Sequence, residues 1–184
     1  MIIGKVQHDT HAYSVDIHTL KILQSILNND SSGKILSEES KIVLYLSAIF
    51  HDFGKAGNIR HPGHELVSAR EAEAILNRLS LSQNIKNRII NHVKNHHWFT
   101  WFNQKISNVP GADNQLAIDE LLKIFTTDQD LNIAKILAKA DLENVNPTFH
   151  RYILGKGHRI SQEGFDKIFW TKVNFDIPNQ NIKS

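Results

Sequence analysis

The residues of this sequence best suited to chemistry are histidines and aspartates set against apolar helical runs. His51-Asp52 closes the most apolar stretch of the chain, Ile42 to Phe50, and leads into Phe53-Gly54-Lys55. His18 falls inside an earlier apolar stretch, and Asp141 follows Ile136, Leu137 and Ala138 near the end of a later one. Buried imidazole and carboxylate groups require hydrogen bonds or a metal. A set of two ring nitrogens and two carboxylates suits a divalent transition ion or magnesium. The 11 histidines matter more because the chain has no cysteine, which excludes disulfides, zinc ribbons, thiol nucleophiles and iron–sulfur ligation.

The elements that must position these residues read as helices almost throughout. Tyr13 to Leu27 carries Val15, Ile17, Leu20, Ile22, Leu23, Ile26 and Leu27 at mostly three-to-four spacing. Asn28 to Lys34 is a polar loop. Ser37 is an N-cap for a helix whose first turn holds Glu38 and Glu39, and whose apolar run predicts a central, buried position. That helix stops at Gly54. Pro62 opens a third helix to about Leu79, with Leu66, Ala69, Ala72, Ile75 and Leu76 inward. Ser82 caps a fourth through Ile85, Ile89, Ile90 and Val93. Trp98 to Gly111 reads as a loop. Two helices follow near Asp113 to Phe125 and Thr127 to Glu143, then a short one at Pro147 and a last from Ser161 to about Val173. Met1 to Val6 is the one stretch with strand character, and 174–184 reads as a frayed tail. The expectation is a single all-α domain over residues 1–184.

The remaining arithmetic sets limits. At 184 residues the chain is long enough for a core without staples. A net charge of +2 gives no case for a dedicated nucleic-acid-binding surface. Nothing reads as a signal peptide, and Ile42 to Phe50 is too short to span a bilayer, so a cytoplasmic location is the default expectation.

The pattern of His18, His51-Asp52 and Asp141 on helices resembles the HD superfamily of metal-dependent phosphohydrolases, whose signature is H…HD…D on a helical bundle. A second HD dipeptide, His8-Asp9, lacks the apolar helix before it and the Gly-Lys after it. More narrowly, the run from Gln7 through His11, Tyr13, Asp16 and His18 to Leu20 is similar to the start of the HD domain in the uridylyltransferase/uridylyl-removing enzyme that acts on the nitrogen-regulatory PII protein. His64-Glu-Leu-Val-Ser-Ala69, Val93-Lys-Asn-His96 and Ala140-Asp141-Leu-Glu-Asn-Val-Asn146-Pro147-Thr148 are similar to later blocks of that domain. The resemblance spans about Gln7 to Ile153, and the stretch after Gly155 has no counterpart in it. The sequence also lacks the nucleotidyltransferase and sensing domains of that enzyme, so the hydrolytic module is expected to stand alone.

The resemblance implies a divalent ion (Mn, Ni, Co, Mg or Fe) held by His18, His51, Asp52 and Asp141. Such an ion lowers the pKa of its bound water from about 15.7 towards 7 and polarises a phosphoryl oxygen. Asp52 and Lys55 are the catalytic candidates, with Lys55 neutralising a substrate phosphate as a point charge. His64 and His96, with His92 and His97, are candidates for a second metal or a phosphate contact. His92 and His96 are four apart and share a helix face, while His97 points about 100° away if the helix continues. His11 and Arg60 are candidate substrate contacts. Trp98-Phe99-Thr-Trp101-Phe102 reads as a hydrophobic plug under a loop, the alternative being a lid that stacks a nucleobase. Asp9 and Asp16 read as structural, and His61, His150 and His158 as capping or surface residues.

The function expected on this reading is hydrolysis of a phosphoester of a nucleotide or of a nucleotidylated protein by a metal-activated water. The alternatives are a cyclic-phosphate phosphodiesterase or nucleotidase, or a non-catalytic nucleotide-binding module.

Overall fold

A computed structural model describes residues 4, 13–29, 36–55, 63–98 and 114–144. Among these, every regular element is a helix: α1 (Val15–Asn29), α2 (Glu38–Phe50), α3 (His64–Leu76), α4 (Gln83–Lys94), α5 (Asn114–Ile124) and α6 (Asp128–Glu143). The all-α reading therefore holds. The expected strand at Met1 to Val6, the short helix at Pro147 and the helix from Ser161 to Val173 lie outside the described residues.

The helix starts follow the local chemistry. Ser37, Ser82 and Thr127 are extended N-cap residues whose hydroxyls accept from the backbone N–H of Ser40, Ile85 and Asp130. Each satisfies one of the four orphan donors of a helix start. α3 begins differently. Its N-cap is Gly63 at φ 89°, a conformation open to glycine at little cost. The helix ends at Leu76, three residues short of the expected Leu79.

α2 is the hub, as its apolar run predicts. It packs against α1, α3, α4 and α6, while α3 also packs on α4, and α1 and α4 on α6. Ile22, Ile26, Val43, Leu44, Ala48, Phe50, Ala69, Ala72, Leu76, Ile89, Val93, Ile133, Leu137 and Ala140 form one continuous core. Two expectations for inward residues fail. Leu66 and Ile75 of α3 are exposed, because α3 meets its neighbours through Ala69, Ala72 and Leu76. In α1 the buried line is Val15, His18, Ile22 and Ile26, while Ile17, Leu20 and Leu27 face outward.

A polar clamp ties the hub to α4 and α6. Arg88 donates to Asp130 Oδ1 at 2.9 Å, to Glu39 Oε1 at 2.9 Å and to Ser40 Oγ at 3.0 Å. Thr127 Oγ1 donates to Asp130 Oδ2 at 2.8 Å. His92 Nε2 lies 3.1 Å from Asp130 Oδ1, and its ring stacks on Phe125. Burial opposes ionisation of Asp130, but the hydrogen bonds from His92, Thr127 and Arg88 outweigh it and hold the carboxyl at about 2. Since the folded value lies below the unfolded one, the clamp contributes its stability above pH 4 and loses it as pH falls from about 4 towards 2. Asp130→Asn is expected to lower stability at pH 7 by about 1–3 kcal/mol, the range for charged hydrogen bonds, and to flatten the acid limb. Denaturant melts at pH 7, 4 and 3 check both effects.

Candidate metal centre

Two helix ends deliver the imidazoles. His51 is the C-cap of α2, and its Nδ1–H donates to Ala48 O at 2.8 Å. His96 lies two residues past the end of α4, and its Nδ1–H donates to Val93 O at 2.7 Å. Ala48 and Val93 supply two of the last four carbonyls of their helices, which have no partner within the helix. Each ring therefore caps its own helix, and this fixes the tautomer. The other nitrogen, Nε2, is left with its lone pair directed into the core. His51 Nε2 and His96 Nε2 are buried without a hydrogen-bond partner.

Both lone pairs point at Asp52, which is itself buried. Asp52 Oδ2 has His51 Nε2 at 3.3 Å, His18 Nε2 at 3.7 Å and Lys55 Nζ at 2.6 Å. Asp52 Oδ1 has His64 Nε2 at 3.3 Å and His96 Nε2 at 3.7 Å, and is itself without a hydrogen bond. Lone pairs facing a carboxylate oxygen repel it unless a cation lies between. His18 Nε2 also hydrogen-bonds Asp141 Oδ1 at 2.9 Å. His18, His51 and Asp52 present donor atoms within 4.8 Å of one another, and so do His64, His96 and His97. This donor set fits one or two divalent ions.

The charge states agree. Burial opposes the charge on Asp52, yet His51 and Lys55 hold its carboxyl well below the ordinary range. Burial likewise opposes ionisation of Asp141, and His18 beside it reverses the effect, so this carboxyl too stays ionised. Burial, helped by His97 and His51, pushes His96 well down and leaves it neutral, as a ligand must be. His51 goes the other way. Burial lowers it, but Asp52 beside it prevails and raises it.

The glycine after the HD pair is required by packing. A Cβ on Gly54 would meet His64 O, Ser68 N at 2.7 Å and Val67 Cβ at 2.8 Å. Gly54 N–H donates to the buried Ser68 Oγ at 2.8 Å. This close approach sets His64, the first residue of α3, against Asp52.

The structure brings together eight of the residues singled out in the sequence: His18, His51, Asp52, Lys55, His64, His96, His97 and Asp141. It separates His92, which turns to Asp130 and Phe125. The shared helix face of His92 and His96 fails because α4 ends at Lys94 with Asn95 at φ −114°. For the same reason His97 does not point away. Its ring centroid lies 4.1 Å from that of His96 and 4.7 Å from that of His64. His11 and Arg60 lie outside the described residues, as does the aromatic patch after Trp98. The sequence reading missed Glu65, whose Oε2 lies 3.6 Å from His64 Nδ1, and the clamp role of Asp130. Its placement next to His64 was the signal for the first, and the Thr127-x-x-Asp130 spacing for the second.

The HD-domain family model matches residues 9–142, well over half of the chain and all of this centre. The chain belongs to the HD-domain family. Its donor groups could hold a divalent metal ion. Among similar curated proteins are bifunctional uridylyltransferase/uridylyl-removing enzymes. The one from Pseudomonas fluorescens Pf-5 is 29% identical over 161 residues, and that from Azotobacter vinelandii 28% over 159. The one from Vibrio atlanticus is 29% identical over 157. These matches cover 79–80% of this chain but only 17% of each relative. No solved structure matches significantly. No helix among the described residues of this HD domain is long and apolar enough to cross a membrane.

Filling the centre relieves the repulsion between lone pairs and carboxylate. A divalent ion at 100 times its Kd is therefore expected to stabilise the fold by about 2.7 kcal/mol, raising Tm by about 5–10 °C. Thermal melts with and without manganese, and after chelation, check this. Asp52→Asn should abolish the metal-dependent shift.

Proposed function

We propose that this HD domain acts as a single hydrolytic module over residues 1–184 and cleaves a phosphoester of a nucleotide or of a nucleotidylated protein. The observation that carries the reading is the placement of Asp52 between two donor groups. His18, His51, Asp52 Oδ2 and Asp141 would hold one ion. His64, His96 and Asp52 Oδ1, with His97 beside them, would hold a second ion or meet a phosphate. A bound divalent ion supplies Lewis-acid charge and a water acidic enough to ionise near neutral pH. The chain's own residues do the rest. His51 and His96 are held rigid by their helix carbonyls, which orients both nitrogens before any ion arrives.

Lys55 and Asp141 keep 17% and 14% of their side-chain surface, against 1% for Asp52, so the centre opens on their side. Lys55 stands at that mouth, paired with Asp52. A bound ion would supply positive charge beside Asp52, and Lys55 would then be placed to meet an anionic phosphate oxygen. The nucleotide part of the proposal draws on the relatives, whose name includes uridylyl removal.

Two measurements test the reading. The purified chain, assayed for bound metal and screened on nucleoside monophosphates, cyclic nucleotides and a uridylylated protein with Mn, Ni, Co, Mg or Fe, should turn over at least one of them. Asp52→Ala should cut that turnover by more than about 100-fold, beyond the loss typical of residues behind a metal ligand. No metal and no Asp52-dependent turnover would sink the enzyme reading.

Lys55→Ala should raise KM about tenfold or more, the worth of one charged hydrogen bond, with metal content unchanged. Loss of metal instead would contradict the phosphate role.

A further inference from the structure

Four residues of α3 form one buried strip. His64, Ser68, Ala72 and Leu76 stand four apart and share the face of the helix turned to the core. His64 begins the strip beside Asp52. Ser68 follows it and is fully buried, and a hydroxyl in such a place requires a partner.

Its partner is the amide that would have extended α2. In a continuing helix Gly54 N–H would bond to Phe50 O. Phe50 O instead accepts from Phe53 N at 3.2 Å, and Gly54 N–H donates to Ser68 Oγ at 2.8 Å. The next amide, that of Lys55, turns back to Asp52 O at 3.0 Å, and the Lys55 ammonium reaches Asp52 Oδ2 at 2.6 Å. The two backbones nearly touch here, since a Cβ on Gly54 would lie 2.7 Å from Ser68 N. Glycine permits this approach, and the serine hydroxyl holds it.

His64 lies one turn before Ser68 on the same helix, so the bond that fixes Ser68 also fixes His64. Its Nε2 stands 3.3 Å from Asp52 Oδ1, while His18 and His51 face Oδ2. His18, His51 and Asp141 come from α1, the end of α2 and α6. Ser68 therefore bears on one donor group far more than on the other.

On the reading that these residues hold an ion, we propose that Ser68 is a positioning residue for the donor group of His64, His96 and Asp52 Oδ1. Its hydroxyl sets how far His64 stands from Asp52, and through that distance the affinity of the group for a divalent ion.

Manganese titrations of the full chain by calorimetry separate this role from general packing. Ser68→Ala should weaken, by about 10- to 100-fold, the binding step that His64→Ala removes, the loss typical of a residue behind a metal ligand. The other step should stay within about twofold, and Ser68→Ala should cost nothing more in the His64→Ala background. Ser68→Cys keeps the volume but accepts hydrogen bonds weakly, so it should lose nearly as much. Unchanged affinity in Ser68→Ala, equal loss in both steps, or full affinity in Ser68→Cys would overturn the proposal. Ring-nitrogen NMR of the ion-free chain gives a readout without metal. Ser68→Ala should displace the His64 signals and leave those of His18 unmoved, and undisplaced His64 signals would overturn the positioning role. A single manganese step that His64→Ala leaves intact, or no binding at all, would instead overturn the ion-holding reading of this group and the affinity claim with it, while the NMR result still decides the placement of His64.

Discussion

Asp52 is a carboxylate shut inside a helical core, with two of its neighbouring imidazoles turned lone pair first towards it. Burying an unpaired charge is among the costliest things a fold can do. Here the ammonium of Lys55, 2.6 Å from Oδ2, offsets that cost. The rings cannot swing away, because each Nδ1 caps a helix carbonyl. Rotating either ring would strand that carbonyl as well. These two rings are therefore oriented in advance.

That rigidity needs helices that stay in register, and three contacts supply it. α2 packs against four other helices, and this holds the end that carries the buried His51 and Asp52. Gly54 lets α3 close on the loop after the pair, which brings His64 in. The Arg88–Asp130 clamp joins α4 to α6, the helices that lead to His96 and Asp141. Each contact lies away from the donor atoms yet determines where they stand.

His51-Asp52 was legible in the sequence because an apolar run ended on two ligand types, and His18 and Asp141 because each sat on an apolar face. Ser37, Ser82 and Thr127 marked helix starts by their hydroxyls. His92 was misplaced because i, i+4 spacing implies a shared face only while a helix lasts, and α4 stops between His92 and His96. Leu66 and Ile75 were read as core because three-to-four spacing does not say how wide a buried face is. With alanines at 69 and 72, α3 approaches its neighbours closely through a narrow strip. The pairing of Arg88 with Asp130 links residues 42 apart, and no local pattern encodes it.

The charge around the centre also bears on what it can hold. Asp52 and Asp141 are both ionised, and the C-terminal ends of α2 and α4 each add roughly half a negative charge by the helix dipole. Lys55 offsets only part of this and is held by Asp52. These groups sit in a largely buried site, where charges are weakly screened. That balance suits a cation rather than an anion, and it agrees with the donor groups that the helix ends bring together.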